Sequence, residues 1–182
     1  MSTTALLIID MQNDYFTGGK FTLSGIDAAA KNARSVLDLF RAQQLPIVHV
    51  HHEFASKEAP FFVPESEGAK IHETLLPQDG EQRVLKHEVN SFKGTELESI
   101  LRSQAITDLV IVGAMSHMCI DAVVRAAKDL GFNNTVIHDA CATLDLEFNG
   151  ISVPAEQVHA TQMAALAFAY AKVISTEELL LT

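Results

Sequence analysis

Six short apolar runs alternate along this chain with segments of helical period, and that alternation leaves few folds open. The runs cover residues 5–9, 47–50, 83–85, 109–112, 135–137 and 172–174. Residues 5–9 and 109–112 are almost wholly apolar, as strands covered on both faces are. Between the runs, Ile26, Ala29, Ala30, Ala33, Val36, Leu37 and Phe40 form a helical stripe. Thr95 with Glu98 three residues on predicts a capping box ahead of Leu97, Ile100 and Leu101. Residues 117–130 are helical in period, with Gly131 as a stop. Pro154 opens an Ala-rich stretch to residue 171 in the manner of a first-turn proline. Ser175 with Glu178 predicts one last short helix. The expected fold is α/β: a three-layer, Rossmann-like arrangement with a mostly parallel six-stranded sheet and helices on both faces.

The chain has 182 residues and 19.8 kDa, which fits one domain over residues 1–182. Hydrophobic residues at 48% supply a core. Lys+Arg number 13 against 23 Asp+Glu, a net charge of −10, so neither nucleic acid nor an anionic membrane is an expected partner. Met1-Ser2-Thr3-Thr4 has no basic region ahead of its apolar stretch, so no signal peptide is expected there. Two cysteines are too few for a disulfide scaffold and fit a reducing cytoplasm. No Gly-x-Gly-x-x-Gly turn follows the first strand, and no cofactor is expected.

Open α/β sheets bind ligands beyond the carboxyl ends of their strands. Asp10 ends the first predicted strand and Lys86-His87 the third. Gly113-Ala114-Met115-Ser116 ends the fourth, with Cys119 at a helix start, and His138-Asp139-Ala140-Cys141 ends the fifth. An acid, a lysine and a thiol thus reach one edge. Each alone has an ordinary explanation: Asp10 as a turn cap, Lys86 as a solvated strand end, Cys119 as a small core residue. Together they form a nucleophilic set without a histidine. The helix start and Lys86 favour a thiolate, Asp10 serves as general acid–base, and backbone N–H groups around residues 113–119 offer an oxyanion site. Cys141 has no such partners. The apolar loop carrying Pro60, Phe61, Phe62, Val63 and Pro64 is a candidate wall or subunit contact.

Asp10-Met11-Gln12-Asn13-Asp14-Tyr15-Phe16 resembles the Asp-x-Gln-x-Asp-Phe opening of the isochorismatase-like cysteine hydrolases. Lys86-His87-Glu88-Val89-Asn90-Ser91-Phe92 resembles their Lys-x-x-x-Ser-x-Phe segment. Gly113-Ala114-Met115-Ser116-His117-Met118-Cys119-Ile120 resembles their Gly-x-x-Thr-x-x-Cys-Val motif, with Ser for Thr and Ile for Val. Asp139-Ala140-Cys141-Ala142-Thr143 is similar to their later Asp-Ala-x-x-Thr. The resemblance implies that Asp10 is the general base, Lys86 the catalytic lysine and Cys119 the nucleophile. It also implies a cis Ala114–Met115 bond, an oxyanion hole from the N–H groups of Met115 and Cys119, and a homo-oligomer, either dimer or tetramer.

Nicotinamidase-type members bind a metal through Asp-x-His. Here the second strand ends His49-Val50-His51-His52-Glu53 without that aspartate, and only His49 and His51 share a face. No metal is expected, and His51 is a candidate substrate contact along with Phe16, Phe61, Phe62 and Phe92. The presence of Cys119 favours hydrolysis of a C–N bond in a small amide, lactam or carbamoyl compound through a thioester. Two other readings stay open. One is vinyl-ether hydrolysis with Asp10 as acid; the other is a binding protein that retains the fold.

Overall fold

The computed structural model describes residues 4–181, so the reading of Met1-Ser2-Thr3 lies outside the described residues. Six strands form one all-parallel sheet: β1 (Thr4–Ile9), β2 (Ile47–His52), β3 (Gln82–Lys86), β4 (Asp108–Ala114), β5 (Asn133–Ala142) and β8 (Lys172–Ile174). Their spatial order is β3-β2-β1-β4-β5-β8. The chain winds outward from β1 in one direction, then returns to its other side with β4. The carboxyl ends of β1 and β4 therefore flank the switch point where such sheets open a crevice. The six strands and the α/β layering agree with the sequence reading.

β1 shows why the central strands are apolar throughout. Leu6 and Ile8 pack towards α1 (Ile26–Ala42), against its stripe of Ala29, Ala33, Val36, Leu37 and Phe40. Leu7 and Ile9 face the other way, onto Leu97 and Leu101 of α2 (Leu97–Ser103) and Val123, Val124 and Ala127 of α3 (Asp121–Asp129). Either face is sealed, so a polar residue on β1 would have no water to meet. α4 (Ala155–Ala169) covers the second face beside α3, and α5 (Thr176–Leu180) returns to α1. The Ser175–Glu178 capping box forms as the sequence predicts.

Three local expectations are corrected. Thr95 is not the N-cap of α2 and forms no capping box: Glu96 holds that position, while the Thr95 hydroxyl donates to the Ser91 carbonyl at 2.6 Å and accepts the Leu97 N–H at 3.3 Å. Pro154 lies just outside α4, at its N-cap. A short antiparallel hairpin, β6 (Leu146–Phe148) and β7 (Ile151–Val153), precedes α4, where none was expected.

Gly113 sets how closely β1 and β4 approach. Its φ is +133°, and a Cβ there would lie 2.1 Å from the Ile9 carbonyl oxygen. The neighbouring atom is backbone and cannot rotate away. Gly113→Ala is therefore expected to destabilise the fold by about 3 kcal/mol or more. A shift in the urea midpoint at constant m-value would measure it; an unchanged midpoint would contradict the close approach.

Candidate active site

Asp10 is the first residue beyond β1. Its backbone takes a left-handed conformation, φ +51°, which Asp tolerates better than most residues. Its N–H donates to the Val50 carbonyl at 2.9 Å, so the bend is tied to β2. Lys86 closes β3. Alternation along that strand turns Val84 and Lys86 inward while Arg83 and Leu85 stay exposed. Cys119 sits in a wide turn, Ser116–Ile120, defined by the Ile120 N–H donating five residues back to the Met115 carbonyl at 3.2 Å. The sequence reading places Cys119 within the first turn of a helix over residues 117–130. The structure instead starts the regular α-helix at Asp121, after this wider turn. The Ala114–Met115 peptide that leads into the turn is cis.

These three side chains meet. Lys86 Nζ lies 2.9 Å from Asp10 Oδ2 and 3.3 Å from Cys119 Sγ. It also donates to the Glu88 carbonyl at 3.0 Å and approaches His52 Nδ1 at 3.0 Å. Asp10 and Lys86 are fully buried, and Cys119 is 6% exposed. Asp10 Oδ1 has no hydrogen-bond partner among the described residues.

Burial alone would push the Lys86 ammonium towards neutrality, but the Asp10 carboxylate and the Cys119 sulfur outweigh it and hold the pKa above the ordinary lysine value. Cys119 goes the other way from the sequence expectation. Burial and then the Asp10 charge raise its thiol well above the usual range, and Lys86 only partly opposes them. Burial and the Asp10 charge thus favour the thiol form of Cys119, beside a Lys86–Asp10 ion pair. Cys141, buried at the end of β5, is pushed up to about 12 by burial and has no part in this cluster.

An isochorismatase domain profile matches residues 4–178. The chain belongs to the isochorismatase family. It is 47% identical over 178 residues to the uncharacterised family protein YddQ of Bacillus subtilis, covering 98% of this chain and 99% of that one. It shares 60% identity and a TM-score of 0.96 with a crystal structure of a candidate isochorismatase hydrolase from Oleispira antarctica, over the whole of both chains. It is also 29% identical to the ureidoacrylate amidohydrolase RutB of Rhizobium rhizogenes, over 81% of this chain and 73% of the relative. This is an isochorismatase-family hydrolase with the family's all-parallel sheet.

The remaining residues of its Asp10-x-Gln12-x-Asp14 segment have roles the sequence reading leaves unassigned. The Gln12 side chain is fully buried and fully used. Its amide nitrogen donates to the His52 and Ala69 carbonyls, and its oxygen accepts the His52 N–H, all at 2.7 Å. Asp14 accepts the Phe62 N–H at 2.7 Å and the Lys20 N–H at 3.1 Å. Gly68 leaves room for that carboxylate: a Cβ there would lie 2.2 Å from Asp14 Oδ1. The Asp-x-Gln-x-Asp-Phe pattern marks these positions in the sequence without showing what they bind.

Of the candidate substrate contacts, the structure brings Phe62 to the site's edge. Its ring is 6.2 Å from that of His52 and 4.5 Å from that of Tyr15. Tyr15, to which the sequence reading gives no role, is buried close enough that the Asp10 charge adds to burial in raising its hydroxyl pKa. Phe61 stacks on Phe21, and Phe16 stacks on His72 with centroids 3.6 Å apart. Phe92 packs on Phe132 in the α2-side core. His51 is not brought to the cluster. It lies on the α1 face of β2 and lines a cavity of about 560 Å³ with Arg83 and His72, near enough to Asp10 for that charge to act on its ring. His52 takes the place beside Lys86 instead, because parallel pairing sets the two in register.

His49, on the His51 face, is bound at 2.8 Å to Glu81, which also holds Arg41 at 2.7 Å. Among the described residues, no group of three or more His, Cys, Asp or Glu side chains could hold a metal ion. No described helix is long and apolar enough to cross a membrane.

Proposed function

We propose that this chain is a cysteine hydrolase that cleaves a C–N bond in a small amide, lactam or carbamoyl compound through a thioester on Cys119. The observation that carries the reading is the shared Lys86 ammonium, 3.3 Å from the sulfur and 2.9 Å from the Asp10 carboxylate in a water-poor site. As Sγ attacks the carbonyl carbon, its proton passes to Asp10. The carbonyl oxygen gains the charge and is received by the N–H groups of Met115 and Cys119. Collapse breaks the C–N bond, and the Asp10 proton leaves with the amine. Water then attacks the thioester, Asp10 takes its proton, and release of the acid returns that proton to the sulfur. Lys86 stays paired with Asp10 between steps. The name of the amidohydrolase relative RutB supports the C–N assignment over ether cleavage.

Acid quenching during turnover of a small-amide panel tests this. The expected result is an acyl adduct on Cys119, removed by hydroxylamine and absent from Cys141. Single-turnover hydrolysis with no adduct on Cys119 would overturn the covalent route.

A further inference from the structure

One buried ring nitrogen beside the three clustered residues, His52 Nε2, has no hydrogen-bond partner among the described residues; the nearby Glu88 carbonyl already accepts from Lys86 at 3.0 Å. Lys86 Nζ carries only donors, and it lies 3.0 Å from His52 Nδ1. That ring nitrogen is therefore the acceptor, and the ring proton sits on Nε2. Nε2 is buried and without a hydrogen-bond partner among the described residues, in a side chain belonging to a residue only 5% exposed. A buried N–H left unpaired is costly, because it gives up its hydrogen bonds to water without replacement. Its ring meets Phe54 edge to face at 4.5 Å, which offsets only part of that. An orphan donor of this kind beside a reactive thiol has a use when a ligand supplies the acceptor.

The sheet fixes where on the ligand that acceptor lies. β2 and β4 flank β1, so His52 and the Cys119 turn stand on opposite sides of Asp10. A scissile carbonyl with its oxygen at the turn presents its nitrogen to Asp10, which must protonate the leaving amine. The amine's substituent then continues towards β2. We propose that His52 reads the substrate: its Nε2–H donates to a second carbonyl oxygen carried on the amine side of the scissile bond. The inference rests on Cys119 being the nucleophile, and it narrows the substrate class to amides bearing such a carbonyl.

Two iodoacetamides test it: N-(2-oxopropyl)iodoacetamide, with a ketone on its amine side, and N-isobutyl iodoacetamide, with a methyl group where the ketone has its oxygen. In both, Sγ bonds to the methylene carbon, iodide leaves, and the thiol proton passes to Asp10. The readout is the ratio of their alkylation efficiencies at Cys119, which cancels any change in the thiol's own reactivity. The wild-type ratio is expected near tenfold, the scale of one hydrogen bond. His52→Asn retains an oxygen to accept from Lys86 but has no donor at the Nε2 position, so the ratio should fall to about one. His52→Gln carries an amide N–H near that position and should keep a higher ratio than His52→Asn. A wild-type ratio near one overturns the proposal even if a variant fails to fold. So does a ratio that survives in His52→Asn or is equal in the two variants. Peptide mapping that finds neither reagent on Cys119 overturns the nucleophile assignment itself, and this inference with it.

Discussion

Cys119→Ala is expected to lower kcat on any amide that acylates the enzyme by about 10³-fold or more, the scale on which single members of a nucleophile–base set act. The fold should survive. The change removes one sulfur from a small side chain, and Lys86 keeps Asp10, the Glu88 carbonyl and His52 as partners. Single-turnover kinetics on the variant, with its melting temperature as control, give the answer. Activity within tenfold of wild type would move the chemistry to Asp10 and Lys86 alone. The raised thiol pKa adds a pH signature. A free thiol alkylates faster as pH rises through about 8.5. Cys119, protonated well above that range, should show no such inflection below pH 9, because its proton leaves to Asp10 during attack rather than to solvent beforehand.

The second large effect falls on stability. Lys86→Met removes the one cation that, among the described residues, pairs with the fully buried Asp10 carboxylate. Taking one partner from a buried ion pair costs about 3–5 kcal/mol, since the other charge is left without water or counterion. Lys86→Met should therefore lower the urea midpoint sharply. Adding Asp10→Asn should restore much of the loss, because no charge is then stranded. A double variant as unstable as the single one would show that Lys86 matters through packing rather than charge. Both variants should be inactive, so stability and catalysis are read separately.

Much of this cluster is legible in the sequence because strand ends are. Asp10, Lys86 and Cys119 each follow an apolar run, and a parallel sheet gathers such ends at one edge whatever its strand order. Which side chain then turns inward depends on register, and register is not local. The parity of β2 separates His49 and His51 from His52. Only the pairing of His52 with Lys86 shows which face carries the chemistry. β2 also runs two residues past Val50, its predicted end. The direction of the Cys119 shift was hidden for a similar reason. A helix start and a nearby lysine both favour a thiolate, but burial and Asp10 outweigh them, and burial is a property of the assembled core. The β6–β7 hairpin did leave a mark, Asn149-Gly150 between two short apolar runs, a strong two-residue turn signal.

The Asp10–Asp14 segment has a consequence for how such an enzyme diversifies. Five consecutive positions supply the proposed general base, bind the end of β2 to the chain at Ala69, and anchor the loop at Phe62. A substitution at Gln12 or Asp14 that reshapes the binding region also disturbs the backbone that aims Asp10. Reactivity and selectivity are thus mechanically linked there. New substrate preferences should arise by exchange at peripheral loop positions such as Phe54 and Phe61, which can change while the segment from Asp10 to Asp14 stays fixed.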